Sequence, residues 1–188
     1  MTDKRFNPEK AHKLMSADRR QKLPPEEVIT YFNLDRNDRV ADLGAGTGYF
    51  TIPMAKRTKE VFAVDIEPKM LGLLKDIAGG EQVDNIHYVE SDLDHIRLDD
   101  NSVDKVMISF VIHEVPDINQ TLREIKRILI PGGQLFMIEW EAVETESGPP
   151  LDHRIPSEDM LRSLDNSGFE AESIQLNPEN YAFKALSK

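Results

Sequence analysis

The segment from Val40 to Thr51 reads V-A-D-L-G-A-G-T-G-Y-F-T, and it constrains the fold more than any other part of the chain. Its first residues continue an apolar run, Arg39–Leu43, that predicts a buried strand, and three closely spaced glycines then precede a predicted helix. Glycine lets the backbone pass close to a ligand without a Cβ atom, and N–H groups at a helix start can face that ligand. The segment therefore predicts a strand, turn and helix whose backbone lies against a nucleoside-bearing ligand.

The spacing of the glycines bears on the class of ligand. Gly44, Gly46 and Gly48 form G-x-G-x-G, whereas dinucleotide-binding turns place the third glycine one position later, as G-x-G-x-x-G. Asp42, two residues before the first glycine, can accept from a cationic amino group or from N–H groups of the turn. A diphosphate gains nothing from that negative charge. The motif by itself still leaves both cofactor classes open.

Composition narrows the class of protein. A chain of 188 residues is most simply one domain with a single core. It has no cysteine, which excludes disulfides, thiolate nucleophiles and cysteine-based metal sites. The net charge of −11 and the pI near 4.9 make a nucleic-acid substrate unlikely. The first residues carry no apolar signal core and no window approaches the roughly 20 apolar residues of a membrane span, so a cytoplasmic protein without a membrane partner is expected.

Strands and helices alternate up to residue 140, which predicts a parallel sheet, and the last two apolar runs are joined by a short polar turn, which predicts an antiparallel hairpin. The predicted fold is α/β, a doubly wound, seven-stranded, mostly parallel sheet with an antiparallel C-terminal hairpin and helices on both faces. The predicted strands are Arg39–Leu43, Val61–Asp65, Ile86–Glu90, Val103–Val111, Gln134–Trp140, Phe169–Leu176 and Tyr181–Leu186. The main predicted helices are Pro24–Asn33, Thr47–Lys56, Pro68–Gly80, Ile118–Leu129 and Ser157–Asn166.

Several segments, taken in order, resemble one family. Besides the glycine motif with Asp42, they are Asp65 after the second strand, Glu90-Ser91-Asp92-Leu93 after the third, and the stretch L-R-E-I-K-R-I-L-I-P-G-G-Q-L from Leu122 to Leu135. The region Arg39–Trp140 resembles class I S-adenosylmethionine-dependent methyltransferases, of the type 11 or quinone-biosynthesis-like group. The resemblance implies a Rossmann-like methyltransferase fold, S-adenosylmethionine as cofactor and S-adenosylhomocysteine as product.

The resemblance also implies roles for individual residues. Asp65 is placed to accept hydrogen bonds from the ribose hydroxyls, with a helix cap as the alternative, and Ile66 to cover the adenine. Asp92 and Leu93 are expected at the adenine edge, with a simple Asx turn as the alternative for Asp92. The expected cofactor-binding residues are Asp42, Gly44, Gly46, Gly48, Asp65, Ile66, Asp92, Leu93, Ser109 and Phe110, the last two flanking the methionine part, although Phe110 is equally compatible with core packing.

Two pairs of residues are candidates for catalysis. His113 and Glu114 follow the fourth predicted strand, on the side of the sheet expected to hold the cofactor. His153 and Arg154 lie on the long polar loop 141–156. The alternatives are structural: His113 fixes the turn after the strand, and Arg154 pairs with acids of its own loop. No ligand spacing requires a metal, so none is predicted.

Three regions are expected within the single methyltransferase domain of residues 1–188: an N-terminal helical lid or extension (1–36), a cofactor-binding core (37–140), and an acceptor-side loop, helix and hairpin (141–188). Phe6, Met15, Tyr31 and Phe32 are candidates for the lid, with core packing as the alternative, and the basic cluster around Arg19 and Arg20 is interpreted as a solvated helix face. The favoured function is methyl transfer to a small or medium-sized acceptor. A catalytically silent S-adenosylmethionine-binding regulatory or scaffold protein is the alternative, a nicotinamide dehydrogenase is disfavoured, and a homodimer stays open.

Overall fold

The computed structural model describes residues 15–188, so the lid candidate Phe6 lies outside the described residues. The strands are β1 (Arg39–Leu43), β2 (Glu60–Asp65), β3 (Ile86–Glu90), β4 (Val103–Ser109), β5 (Leu129–Trp140), β6 (Phe169–Asn177) and β7 (Asn180–Ser187). The α-helices are α1 (Ala17–Lys22), α2 (Pro25–Val28), α3 (Thr51–Ala55), α4 (Pro68–Gly80), α5 (Ile118–Ile128) and α6 (Ser157–Asn166). Among residues 15–188, no helix is both long and apolar enough to cross a membrane.

All seven strands belong to one sheet with the order β3-β2-β1-β4-β5-β7-β6. The strands β1 to β5 pair in parallel, while β7 pairs antiparallel with both β5 and β6. The predicted fold class is confirmed. Because the chain winds outward from β1 in one direction and from β4 in the other, a crevice is expected at the carboxyl ends of these two neighbours.

Some predicted boundaries are wrong, and backbone conformation explains two of them. Helix α3 starts at Thr51 rather than Thr47, because Gly48 has a φ of 90° and cannot be helical. Strand β4 stops at Ser109, since Phe110 adopts a left-handed φ of 57°. Strand β5 begins at Leu129, well before the predicted Gln134, because Leu129 pairs with Val103 of β4.

The core lies on both faces of the sheet. In β1, Val40 packs in one cluster of buried residues and Leu43 in the other, and neither side chain is exposed. The cluster with Val40 also receives Phe32, whose ring stacks 5.4 Å from that of Phe136. Tyr31, in contrast, is 48% exposed. Part of the N-terminal extension is therefore built into the core.

Candidate cofactor and acceptor sites

The glycine turn after β1 requires glycine for steric reasons. Gly44, Gly46 and Gly48 have φ values of 71°, 53° and 90°, a region that other residues rarely adopt. A Cβ atom at Gly48 would overlap Leu74 Cδ1, and one at Gly44 would lie 2.9 Å from Val111 Cβ. The turn therefore packs tightly between α4 and the segment that follows β4.

Hydrogen bonds tie this turn to the end of β2. The Gly44 and Ala45 N–H groups both donate to the Val64 carbonyl oxygen, at 2.8 and 3.0 Å. The Gly46 N–H donates to Asp65 Oδ2 at 2.8 Å. These three N–H groups serve the fold, which leaves the N–H groups at the start of α3 as the ones expected to face a ligand. A turn used in this way is a poor cradle for a diphosphate, which needs free backbone donors.

Asp65 braces the turn and also starts the next loop. Its Oδ1 accepts from the Glu67 N–H at 2.9 Å, while α4 begins at Pro68 without a side-chain cap. The alternative of Asp65 as a helix cap therefore does not describe this bond, which is an Asx-type turn. Burial raises the pKa of Asp65. Ile66 beside it is 42% exposed, as an apolar side chain that covers a ligand would be.

Asp42 is a buried carboxylate with one unpaired oxygen. Its Oδ2 accepts from Thr51 Oγ1 at 2.5 Å, but its Oδ1 and the nearby Thr47 Oγ1 have no hydrogen-bond partner among residues 15–188. Burial raises the pKa of Asp42 to about 7, and the charge of Asp65 adds to this rise. Buried polar atoms without partners are rare and costly, so these two atoms fit a turn that binds a polar, cationic ligand.

The ends of β3 and β4 place the remaining expected cofactor residues along the same sheet edge. Asp92 is exposed, and its Oδ1 accepts from the His95 N–H, three residues on, at 2.9 Å, whereas an Asx turn closes on the second residue. Leu93 is buried. After β4, Phe110 donates its N–H to the Ile138 carbonyl and packs its ring 5.5 Å from Trp140.

Arg19 also reaches this region, which the sequence did not predict. Its guanidinium carbon lies 4.3 Å above the Tyr49 ring and 5.2 Å from the Phe110 ring. The interpretation of the basic cluster as a solvated face is wrong for Arg19, because its half-buried guanidinium packs against these two rings. It holds for Arg20, which is exposed.

The catalytic candidate His113 is buried and held by a carboxylate from β5. Its Nδ1 lies 2.8 Å from Glu139 Oε1, and its Nε2 lies 3.8 Å from Glu114 Oε1. Glu139 is 1% exposed, and its other oxygen accepts from the Trp140 N–H. Because a carboxylate only accepts, Nδ1 is the nitrogen that donates to Glu139, and Nε2 is the nitrogen that faces Glu114. Sequence reasoning missed Glu139, although an isolated acid near the end of an apolar strand was a usable signal.

An open cleft of about 500 Å³ is lined by His113 from one candidate pair and by His153 and Arg154, the other pair. We call it the His113 cleft; it is lined by His113, Val115, Pro116, Asp117, Ile118, Asn119, Asp152, His153, Arg154 and Ile155. Both candidate histidines thus face one space. Among the described residues, no three His, Asp or Glu side chains are grouped to hold a metal ion.

Arg154 organises the loop that forms one wall of this cleft. Its guanidinium makes five hydrogen bonds: to the carbonyl oxygens of Glu141, Val143, Ser147 and Pro149, and to Thr145 Oγ1. Its central carbon also lies 5.2 Å from the Trp140 ring. The expected alternative, pairing with acids of the loop, is replaced by bonds to loop carbonyls and one hydroxyl. Such a fork fixes a loop in place.

The strand order, the antiparallel seventh strand and the glycine turn define a Rossmann-like methyltransferase fold. A family profile described as a methyltransferase domain, Methyltransf_11, matches residues 41–137. The chain belongs to this family of class I S-adenosylmethionine-dependent methyltransferases, and the resemblance seen in the sequence is confirmed.

Individual relatives agree with this assignment. The ubiquinone/menaquinone biosynthesis C-methyltransferase UbiE of Vibrio cholerae is 31% identical over 159 residues, which cover 79% of this chain and 61% of that protein. The protein of the same name from Pectobacterium atrosepticum is 30% identical, with 80% and 64% covered. The chain spans about three fifths of the length of these relatives. A crystal structure of an S-adenosylmethionine-dependent methyltransferase from Aquifex aeolicus superimposes with a TM-score of 0.91 at 25% identity, covering 98% of this chain and 100% of that one.

Proposed function

We propose that this chain transfers a methyl group from S-adenosylmethionine to a small or medium-sized acceptor bound in the His113 cleft. The observation that carries the proposal is the buried pair of His113 and Glu139, of which His113 lines this cleft just after β4. Val111, two residues before His113, contacts the glycine turn at Gly44. The acceptor space and the cofactor turn are thus adjacent.

The residues at the sheet edge fit the cofactor. The unpaired oxygen of Asp42 and the hydroxyl of Thr47 suit a cationic amino acid group, while the exposed Ile66 suits an adenine. Asp65 is proposed to receive the ribose hydroxyls, sharing oxygens that also brace the turn. When bound, S-adenosylmethionine supplies an electrophilic methyl group on its sulfonium. Positioning and exclusion of water are the main contributions a protein makes to such a transfer.

His113 is proposed to hold the proton that the acceptor loses. Glu139 fixes the ring through Nδ1 and stabilises the imidazolium that forms after Nε2 takes a proton. This suits an acceptor with an ionisable hydroxyl. The relatives named for ubiquinone and menaquinone biosynthesis make hydroxylated aromatic rings the first compounds to test. The net charge of −11 supports such a small molecule over nucleic acid as the acceptor. The reaction is proposed to take place in the cytoplasm.

The test replaces both members of the pair. In His113→Gln and Glu139→Gln, transfer of labelled methyl from S-adenosylmethionine to a panel of hydroxylated aromatic compounds is expected to fall at least about 100-fold in kcat, the usual contribution of a general base. Affinity for S-adenosylhomocysteine, measured by calorimetry, is expected to change less than about threefold, since neither side chain is proposed to contact the cofactor.

The chain offers a matched control. His87 of β3 also lies 2.8 Å from a glutamate oxygen, that of Glu60 of β2, but His87 is exposed and Glu60 is only half-buried. His87→Gln is expected to keep the wild-type rate. Full activity in His113→Gln would contradict the proton role. Binding of S-adenosylhomocysteine without transfer to any compound would instead favour the catalytically silent alternative.

A further inference from the structure

Trp140 is the last residue of β5, and its side chain contacts one residue from each proposed site. Its ring lies 5.5 Å from the ring of Phe110, which is expected at the methionine part of the cofactor. The guanidinium carbon of Arg154, which lines the His113 cleft, lies 5.2 Å from the same indole. The Trp140 side chain therefore lies where the cofactor site and the acceptor cleft adjoin.

The backbone of Trp140 and the loop beside it hold the indole in place. The Trp140 N–H donates to Glu139 Oε2 at 2.9 Å, and the other oxygen of this carboxylate faces His113. On the loop, Gly148 has a φ of 100°, and a Cβ atom at Gly148 would lie 3.1 Å from the indole atoms Cδ2 and Cε2. The loop backbone thus packs directly on the indole and restricts its rotation.

Trp140 and Phe110 are large aromatic residues that the fold leaves only half-buried. The aromatic rings of the core, such as those of Phe136 and Phe183, are in contrast fully buried. Phe110 also keeps its left-handed φ of 57°, a conformation that is costly for a bulky residue and that is found most often at binding and active sites. Two partly accessible rings at this place suit contact with a flat ligand, because aromatic rings pack well edge-to-face or offset.

Methyl transfer requires the nucleophilic atom of the acceptor to come close to the sulfonium in a fixed direction. A side chain at the junction of the two sites therefore limits the size and the orientation of the acceptor. We propose that Trp140 is a specificity-determining residue, whose indole packs against the ring of the acceptor and sets how large a ring reaches the methyl group. This inference rests on the proposed function and adds to it a residue beyond the region 41–137 that matches the family profile.

The test compares a one-ring with a two-ring acceptor. Methyl transfer to catechol and to dihydroxynaphthalene is measured on wild type and on Trp140→Leu. For catechol, kcat/KM is expected to fall because its ring loses a packing surface, whereas dihydroxynaphthalene gains the space that the indole leaves. The ratio of the two values is expected to shift at least about tenfold toward the two-ring compound. This ratio does not depend on how much of the variant is folded.

A matched variant and a direct measurement of binding sharpen the result. Phe62 is also half-buried and stacks 4.9 Å from another ring, that of His87, so Phe62→Leu is the control and is expected to leave the ratio unchanged. Trp140 is the one tryptophan of the chain, so labelling with fluorotryptophan gives a single fluorine resonance from the protein. With S-adenosylhomocysteine bound, catechol and dihydroxynaphthalene are both expected to shift this resonance.

The outcomes separate this inference from the proposed function. An equal fall in kcat/KM for both acceptors in Trp140→Leu would make Trp140 a structural residue and overturn the inference, as would a fluorine resonance that neither compound moves. In both cases wild type still transfers the methyl group, and the proposed function stands. Wild type that transfers to neither compound would count against the proposed function, and the fluorine resonance would then decide the inference by itself.

Discussion

Asp42 combines a cost to stability with a proposed role in binding. Its carboxyl is buried, with a pKa raised from 3.8 to about 7. In the unfolded chain the same group ionises near pH 3.9. Its contribution to stability is therefore complete below about pH 4 and is lost as the pH rises through 7, because the folded state holds a proton that the unfolded state has released. Above pH 7 the free protein carries an unfavourable buried charge.

Asp42→Asn is expected to show this cost directly. At pH 8 the variant avoids the buried charge while its amide oxygen still accepts from Thr51, so it recovers on the order of 1–2 kcal/mol. In a chain of this size that raises Tm by roughly 2–8 °C. At pH 5, where Asp42 is already protonated, the difference is expected to vanish. Thermal melts at both pH values measure it.

The same substitution is expected to impair binding. Calorimetry at pH 8 should show S-adenosylhomocysteine bound about tenfold or more weakly, because a neutral amide replaces the partner of an ammonium. A variant that is destabilised at both pH values, with unchanged affinity, would assign Asp42 to the fold alone.

At the residue scale, the sequence predicts where a residue lies in the fold better than it predicts which side chains that residue contacts. Asp42, Asp65 and His113 lie in or shortly after strands whose carboxyl ends meet at the expected crevice, and this position was predictable. Glu139 and Arg19 were missed. Their roles depend on contacts between segments 26 or more residues apart, such as His113 with Glu139, and a local pattern does not encode such contacts.

At the scale of elements, Arg154 braces the loop between β5 and α6. Arg154 ties together residues 141–149 through hydrogen bonds that an ammonium cannot all replace. The rigidity of the wall of the His113 cleft therefore depends on the shape of a guanidinium as well as on its charge.

Arg154→Lys is expected to loosen this loop. Loss of several hydrogen bonds costs about 2–4 kcal/mol, or roughly 4–16 °C in Tm. Hydrogen exchange over residues 141–156 is expected to accelerate, and KM for the acceptor is expected to rise while the affinity for S-adenosylhomocysteine stays constant. Arg162→Lys is the matched control, since Arg162 lies exposed on α6 and pairs with Asp159. Unchanged exchange in Arg154→Lys would mean that the loop has other supports.

Element types were predictable and element ends less so. The period of apolar residues identified every strand of the sheet, because buried parallel strands are continuous apolar runs. The end of β4 depends on the left-handed Phe110, and the start of β5 on pairing with Val103. A non-glycine residue rarely adopts a positive φ, so nothing in the local sequence indicated that β4 would end before Phe110.

At the scale of the whole molecule, cofactor binding is expected to stabilise the fold. A ligand that binds only the folded state at 100 times its Kd adds about 2.7 kcal/mol. S-adenosylhomocysteine at that concentration should raise Tm by roughly 5–11 °C. NAD at the same concentration should cause no shift, because the N–H groups of the glycine turn that bond to β2 offer no diphosphate cradle. A shift with NAD alone would revive the dehydrogenase hypothesis.

The order of the strands also separates the residues proposed to bind the cofactor from those proposed to face the acceptor. Most of the residues proposed to bind the cofactor precede residue 100, on β1 to β3 and their turns, whereas those proposed to face the acceptor follow it, on the segments after β4 and β5. The boundary falls in the exposed residues Asp99, Asp100 and Asn101. Substitutions after this boundary are therefore expected to change the choice of acceptor while leaving most of the proposed cofactor residues in place.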